Sequence, residues 1–120
     1  LILKIQNNKK IGISSIIKTR PTSAKSIAKF LIKIVNIKKH LYGIVHFTNK
    51  PTISWYAFAN RIKDSFNRKK KYSIYKNDNY ITKAIRPKNS ILKYSYKIRS
   101  ICKQEEWYKY LSKDIKNLIK

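Results

Sequence analysis

The sequence predicts an α/β fold with several amphipathic helices and a few short strands. Three segments, beginning near Ala24, Ser54 and Glu105, carry apolar residues at the three- and four-residue spacing of one helix face. Two short runs, Gly12–Ile17 and Tyr42–Thr48, are rich in β-branched and aromatic residues. Because strand-like and helix-like segments alternate, we expect the strands to join one larger sheet.

The first predicted helix has an apolar stripe that we expect to face the core. A row of lysines, Lys25, Lys29 and Lys33, recurs every fourth residue on the other side, and Thr22 is a candidate N-cap. The expected core stripe consists of Ile27, Ala28, Leu31, Ile32 and Val35.

The other two helices have equally clear stripes. Ser54 is a candidate N-cap for the second helix, and the acidic pair Glu105–Glu106 suits the N-terminus of the third. The second stripe is Trp55, Phe58, Ala59, Ile62 and Phe66, and the third is Trp107, Leu111, Ile115 and Leu118.

The remaining segments carry weaker signals. The run Tyr42–Thr48 is apolar on both faces, which is typical of a buried, parallel strand. Residues 67–79 form a polar connection rich in Lys and Asn, Tyr80–Ile85 is a candidate short strand, and Ile91–Ile101 is weakly helical.

The net charge of +24 suggests a nucleic-acid partner, but its composition favours another explanation. The chain has 24 Lys and only 5 Arg, and Lys, Ile, Asn and Tyr together fill 64 of its 120 positions. These four residues have A/T-rich codons. A phosphate-binding surface would more often retain Arg, whose planar fork matches phosphate oxygens. Codon-driven drift is therefore favoured over functional basicity.

The chain has one cysteine, Cys102, and no methionine. A lone thiol is compatible with a reducing cytoplasm, and no apolar run approaches the ~20 residues of a membrane-spanning helix. Since the sequence starts at Leu1 within an apolar stretch, we expect residues 1–120 to be one domain of a longer protein.

Five short motifs occur in a specific order along the chain. They are Arg20–Ala24 (RPTSA), Gly43–Asn49 (GIVHFTN), Ser54–Ala59 (SWYAFA), Arg86–Leu92 (RPKNSIL) and Trp107 with Tyr110–Leu111. In this order they resemble the C-terminal half of the dTDP-4-dehydrorhamnose reductases, a branch of the extended short-chain dehydrogenases. The resemblance implies a substrate-binding C-terminal fragment of a Rossmann-type fold.

The resemblance also implies an activity that this chain would not perform alone. Members of the family use NADPH or NADH to reduce dTDP-4-dehydro-L-rhamnose to dTDP-L-rhamnose, a precursor of surface polysaccharides such as the lipopolysaccharide O-antigen. Their Gly-rich turn and Tyr-xxx-Lys pair lie in an N-terminal cofactor domain. The chain has only Gly12 and Gly43, and the spacing of Tyr72 and Lys76 is expected by chance among so many lysines. The implied partners are a dTDP-sugar, the missing N-terminal domain and a second copy in a homodimer. Mg2+ is also possible by resemblance.

Arg86 is the first candidate for substrate binding, because related nucleotide-sugar enzymes place the arginine of an Arg-Pro motif near the substrate diphosphate. Asn89 and Ser90 would add neutral hydrogen bonds. Arg20 and Thr22 lie at a strand-to-helix junction, where free N–H groups favour an anion. The alternatives are a surface arginine for Arg86 and simple helix capping for Thr22.

The chain departs from the family pattern at three places. Lys18–Thr19 stands where relatives have Asp-Gln-x-Gly, Ala57 replaces an acidic residue, and Ile81 replaces a proline. The altered Lys18–Thr19 segment puts the local substrate contacts in doubt, and such losses are typical of a drifting gene.

Other functions have less support. Trp55 and Tyr56 resemble a base-stacking platform, but core packing is favoured for Trp55. Neither His40 nor His46 has a second ligand at metal spacing, so no metal or catalytic residue is assigned. The main alternative is a non-catalytic, basic nucleic-acid-binding module. Binding of the Lys-faced first helix to anionic lipid ranks below it.

Overall fold

The fold is taken from a computed structural model that describes residues 10–37, 41–65, 73–79, 84 and 87–119. Residues 1–9, 38–40, 66–72, 80–83, 85–86 and 120 lie outside the described part. The predictions for Arg86, His40, Phe66, Ile81 and most of Tyr80–Ile85 therefore fall on residues that are not described, as does the side chain of Leu118.

A parallel strand pair forms one edge of the described fold. Strand β1 (Lys10–Ile13) pairs in parallel with β4 (Ser73–Lys76), with Gly12 opposite Tyr75. A Cβ atom at Gly12 would lie 2.9 Å from both the Cβ of Asn77 and the ring of Tyr75, so only glycine fits at this close approach. The prediction of a polar connection over 67–79 is wrong for residues 73–76, which form β4. Three of the four residues of this strand are exposed, so its sequence lacks the alternation of apolar and polar residues that indicates a strand.

The second strand pair is antiparallel and very short. Strand β2 (Lys18–Thr19) pairs with β3 (Ile53–Ser54), and Lys18 also forms a parallel bridge with Asn89. The strand predicted at Gly12–Ile17 is confirmed only at its start, because the chain leaves the ladder after Ile13 and turns before β2.

Three α-helices follow the predicted order. They are α1 (Ala24–Val35), α2 (Trp55–Ser65) and α3 (Tyr108–Ile119), and a 3-10 helix spans Tyr96–Ile98. The Ser54 cap of α2 is confirmed, since its hydroxyl accepts a hydrogen bond from the Ala57 N–H at 3.2 Å. The N-cap of α1 is Ser23 rather than Thr22.

Helix α3 starts three residues later than predicted. The Glu105 carbonyl accepts from the Lys50 N–H at 2.9 Å, and the Trp107 N–H donates to the Lys50 carbonyl at 2.9 Å. These bonds form an isolated parallel bridge between Lys50 and Glu106. The backbone at Glu105–Glu106 is thus committed to a remote segment and does not form the first turn of a helix.

Two apolar clusters build the core. The first joins β1, β4, α2 and α3 through Ile11, Ala59, Ile62 and Ile115, with Ile13, Phe58, Ile74 and Leu111 packed against them. The second joins α1 to the 94–102 segment through Phe30, Tyr94, Ile98 and Cys102, with Ile34, Leu41, Val45, Phe47 and Ile101 around them.

The expected burial of the α1 stripe is wrong for this chain. Its inward side chains are Ser26 and Phe30, with Ile34 partly buried, whereas Leu31 is 54% exposed and Val35 is 82% exposed. The same helix therefore uses one flank of its apolar arc and leaves the other facing solvent.

The predicted strand at Tyr42–Thr48 is also absent. The His46 carbonyl accepts from the Ser95 N–H at 3.0 Å, and the His46 N–H donates to the Ser95 hydroxyl at 2.8 Å. Val45 and Phe47 pack on the second cluster, whereas Tyr42 and Ile44 are exposed. A strand needs a ladder of backbone hydrogen bonds to at least one neighbour, and the described residues provide none for this segment.

Candidate functional site

The altered Lys18–Thr19 segment lies at the centre of the candidate site. On one side it pairs with β3, and on the other it contacts residues 88–90, about 70 positions away in sequence. The Lys18 N–H donates to the Lys88 carbonyl at 2.9 Å, and the Lys18 carbonyl accepts from the N–H of Ser90 at 3.4 Å and from its hydroxyl at 3.2 Å. The two motifs that carry the predicted binding residues are therefore adjacent in space.

Arg20 reaches from the first of these motifs toward the second. Its Nε donates to the Thr52 hydroxyl at 3.0 Å, and one terminal nitrogen donates to the Leu92 carbonyl at 3.3 Å. These two bonds hold the guanidinium plane against the chain while the side chain stays partly exposed. A guanidinium has five N–H donors, so such a held fork retains donors for a ligand oxygen.

Asn89 and Ser90 are exposed beside Arg20's partner segment. The Asn89 side-chain oxygen accepts from the Ile91 N–H at 3.1 Å, which shapes the turn, and the Ser90 hydroxyl donates to the Lys18 carbonyl. Their side chains thus fix the backbone of the motif. Arg86, four residues before Ser90, lies outside the described residues.

Thr22 has an internal role that the sequence did not indicate. Its hydroxyl accepts from the Asn49 N–H at 3.3 Å, lies 3.3 Å from the Thr48 hydroxyl and donates to the Arg20 carbonyl at 3.2 Å. These contacts anchor the junction between β2 and α1.

The N-terminus of α1 already faces a carboxylate of the chain. The Ser23 hydroxyl donates to Asp114 of α3 at 3.2 Å, and the Ser23 N–H donates to the side-chain oxygen of Asn49 at 3.2 Å. Asp114 also lines a small cleft of about 120 Å3 there, with Pro21, Thr22, Ser23, Phe58, Trp107 and Leu111. Because a fixed negative charge repels phosphate, this helix end is a poorer anion site than its position in the motif suggested.

A Lys–Tyr–Glu chain lies on the other side of α1. The Lys29 amine donates to the Tyr110 hydroxyl at 3.2 Å, and that hydroxyl donates to the Glu105 carboxylate. The bond to Glu105 raises the pKa of Tyr110 above its usual value. The two hydrogen bonds join α1 to the start of α3.

Sequence reasoning missed an acidic latch at the carboxyl ends of β1 and β4. Asp78 accepts hydrogen bonds from the Ser14 hydroxyl, from the Ser15 hydroxyl and from the backbone N–H groups of Ser15 and Ile16. The serine pair directly after a strand was the signal available in the sequence. The four bonds make Asp78 a structural residue that positions the turn before β2.

The alternative sites have little structural basis. Trp55 is partly exposed and packs edge-on against Phe58 at 6.1 Å, so the expected core packing is only partial. Among the described residues, no group of three or more His, Cys, Asp or Glu side chains is placed to hold a metal ion. Within the same residues, no helix is both long and apolar enough to cross a bilayer.

Two short strand pairs, three amphipathic helices and the strand-to-helix junction between β2 and α1 define the class of the chain as a fragment of a Rossmann-type α/β fold. The family described as RmlD substrate binding domain matches residues 2–119, and the chain belongs to that family.

Three solved structures of dTDP-4-dehydrorhamnose reductases have a fold similar to that of this chain. The enzyme from Yersinia enterocolitica is 27% identical, with a TM-score of 0.75 over 96% of this chain and 40% of its own. That from Clostridium acetobutylicum is 23% identical, with a TM-score of 0.81 over 99% of this chain and 42% of its own. That from Bacillus anthracis, solved in complex with NADP, is 21% identical, with a TM-score of 0.78 over 93% of this chain and 40% of its own.

The chain thus spans about two-fifths of the length of these reductases. No curated protein matches it. The resemblance to the reductase family is confirmed, and nothing in the comparisons supports the nucleic-acid alternative.

Proposed function

We propose that this chain is the sugar-nucleotide-binding part of a dTDP-4-dehydrorhamnose reductase. The whole enzyme would reduce dTDP-4-dehydro-L-rhamnose to dTDP-L-rhamnose in the cytoplasm, for surface polysaccharides such as the O-antigen. Membership in the substrate-binding family over residues 2–119 and the similarity to the Yersinia enterocolitica reductase support this assignment.

One observation carries the proposed binding site: the segment Lys18–Arg20 lies beside residues 88–92. In this contact the partly exposed guanidinium of Arg20 donates to the Leu92 carbonyl, the last residue of the motif Arg86–Leu92. Two arginines from adjacent segments suit a diphosphate, because each fork binds two oxygens of one phosphate group. Thr22 lies next to Arg20 at the junction before α1, and Asn89 and Ser90 shape the turn beside Lys18, so these three residues complete the proposed set.

The chemistry of reduction would come from outside this chain. The hydride is supplied by NADPH or NADH, and a chain with only two glycines lacks a Gly-rich turn for the cofactor phosphates. The described residues do not fit a Mg2+ site either. The contribution of residues 1–120, as a single domain, is to bind and orient the sugar nucleotide. A cofactor-binding half on the same polypeptide or on a separate chain would complete the enzyme.

The test uses a full-length chimera in which this chain replaces the matched 40% of the Yersinia enterocolitica reductase. Titration calorimetry with dTDP-L-rhamnose measures the Kd of the parent, Arg20→Ala, Arg86→Ala and the control Arg61→Ala, an exposed arginine on α2. We expect each site variant to raise Kd roughly 10- to 100-fold, because a charge-assisted hydrogen bond contributes about 1.5–3 kcal/mol. The control should keep the parent Kd.

A parent chimera that binds NADP but not dTDP-L-rhamnose would contradict the proposed function. An unchanged Kd in only one site variant would remove that arginine from the site and leave the other in place.

A further inference from the structure

Thr52 lies on a short segment whose backbone is held on both sides of it. Before it, the Trp107 indole N–H donates to the Pro51 carbonyl at 2.9 Å. After it, Ile53 begins strand β3 and is paired with Thr19 of β2. Because both neighbours are tied to distant parts of the chain, the fold sets the position of Thr52, and its own side chain does not have to.

The residues just before this point are anchored in the same way. The Gln104 side-chain amide donates to the Thr48 carbonyl at 2.9 Å, and the Asn49 side-chain amide donates to the Glu105 carbonyl at 3.1 Å. Thr48 is 3% exposed and Asn49 is 0% exposed. Thr52 thus stands, exposed, at the end of a segment that is fixed in the interior.

The hydroxyl of Thr52 is hydrogen-bonded to Arg20, since it accepts from the arginine Nε at 3.0 Å. The pairing of β2 with β3 brings these two residues side by side. From another direction the Leu92 carbonyl accepts from a terminal nitrogen of Arg20 at 3.3 Å. Because a guanidinium is planar and its donors have a fixed geometry, these two acceptors define the plane in which it lies.

Both acceptors of Arg20 are neutral groups, a hydroxyl and a backbone carbonyl. They orient the guanidinium without cancelling its charge, whereas a carboxylate would do both. The two bonds use two of the five N–H donors of the guanidinium, and the side chain is partly exposed. An oriented fork that keeps its charge and further donors is what recognition of phosphate oxygens requires.

We propose that Thr52 is a positioning residue for sugar-nucleotide binding, because its hydroxyl sets the angle at which Arg20 presents its other N–H donors to a phosphate group of the ligand. This role rests on the proposed function, and Thr52 itself would contact the arginine and not the substrate. The physical reason is pre-organisation. An arginine side chain that is already fixed loses less conformational entropy when it binds a ligand than a freely rotating one.

The alternative is that Arg20 only connects Thr52 with Leu92 to stabilise the fold. Thr52 is exposed and Leu92 is 52% exposed, and substitutions at such surface positions usually change the free energy of unfolding very little. A bond that contributes little to folding but fixes a charged, partly exposed side chain fits a role in binding better.

A double-mutant cycle in the Yersinia enterocolitica chimera tests this role. Titration calorimetry measures the Kd of dTDP-L-rhamnose for the parent, Thr52→Val, Arg20→Ala and the double variant. Valine has a similar volume but cannot accept the hydrogen bond from Nε, so Thr52→Val should raise Kd about three- to tenfold. In the Arg20→Ala background the same change should alter Kd less than about twofold, because no guanidinium remains to be oriented.

Thr52→Ser is the matched control, because it keeps the hydroxyl and should stay within about twofold of the parent Kd. The urea midpoints of the parent, Thr52→Val and Thr52→Ser should agree, since the position is exposed. If valine lowers the midpoint, Thr52→Ala takes its place in the cycle.

An unchanged Kd for Thr52→Val, in a chimera whose parent binds dTDP-L-rhamnose, would overturn the positioning role and leave the proposed function in place. An equal rise in Kd in both backgrounds would also overturn it, because Thr52 would then act independently of Arg20. A parent that binds NADP but not dTDP-L-rhamnose would refute the proposed function itself, and the role of Thr52 with it.

Discussion

Asp78 accepts hydrogen bonds at 2.6 Å from both the backbone N–H and the hydroxyl of Ser15, a residue 63 positions earlier in the chain. This pair ties the turn after β1 to the turn after β4, where the two parallel strands end. The hydrogen bond from the Ser15 side chain is the main reason that the pKa of Asp78 is lowered to about 2 from the ordinary 3.8.

The Asp78 latch predicts a specific loss of stability in acid. A carboxyl whose pKa is lower in the folded state stabilises the fold fully above its unfolded pKa, and this contribution disappears as pH falls through the folded pKa. For Asp78 the window runs from 3.8 down to about 2. Asp78→Asn should lower the thermal midpoint at pH 7 and remove the part of its pH dependence that lies in this window.

Asp64→Asn, an exposed carboxylate on α2, is the matched control for the latch. Thermal melts of the parent and both variants from pH 7 to pH 2 provide the measurement. Equal midpoints for Asp78→Asn and Asp64→Asn at every pH would show that the latch does not stabilise the fold.

Asn49 should be the polar residue whose loss is most damaging. It is 0% exposed, accepts from the Ser23 N–H, and donates to the Ser26 hydroxyl at 3.0 Å and the Glu105 carbonyl at 3.1 Å. Asn49→Ala would leave several buried groups without partners, so we expect a loss of about 2–4 kcal/mol in the free energy of unfolding. Urea denaturation measures this loss.

Asn60→Ala is the control for Asn49, since among the described residues the Asn60 amide donates to the Tyr56 carbonyl alone, within α2. It should cost under about 1 kcal/mol. A similar urea midpoint for the two variants would mean that the Asn49 network is not formed in solution.

Truncation of two side chains of equal size should change the free energy of unfolding of the isolated chain by very different amounts. Ile115 is 1% exposed between α2, α3 and β1, so Ile115→Ala should lower the free energy of unfolding by about 2–5 kcal/mol. Leu31 on α1 is 54% exposed, so Leu31→Ala should change the free energy of unfolding by no more than about 0.5 kcal/mol. Urea unfolding of the 120-residue chain tests both, and a large loss for Leu31→Ala would contradict its exposure.

The charge of +24 should produce binding to polyanions without selectivity. Fluorescence anisotropy with several DNA sequences and with heparin, across a range of salt, provides the measurement. Every affinity should fall steeply between about 50 and 200 mM salt, because counterion release governs such binding. The slope of log K against log salt concentration is set by the number of anionic groups that the protein contacts. Strong preference for one DNA sequence at physiological salt would revive the nucleic-acid alternative.

The sequence and the tertiary structure each contributed a part of the predicted site. Sequence motifs indicated Arg20 and the segment from Arg86 to Ser90 separately, and family resemblance connected them. Their contact through Lys18 depends on hydrogen bonds across about 70 residues, for which no local pattern exists. The internal role of Thr22 and the carboxylate of Asp114 at the start of α1 likewise come from elements far apart in sequence.

The sequence alone determined the family, the order of the three helices and the cap at Ser54, because periodicity and capping are properties of neighbouring residues. The tertiary structure alone decided three features: which flank of α1 is buried, the pairing of residues 73–76 with 10–13, and the start of α3 at Tyr108. Each of these depends on a remote partner. An amphipathic stripe shows that a helix must pack somewhere, but the other surfaces of the fold determine what it packs against.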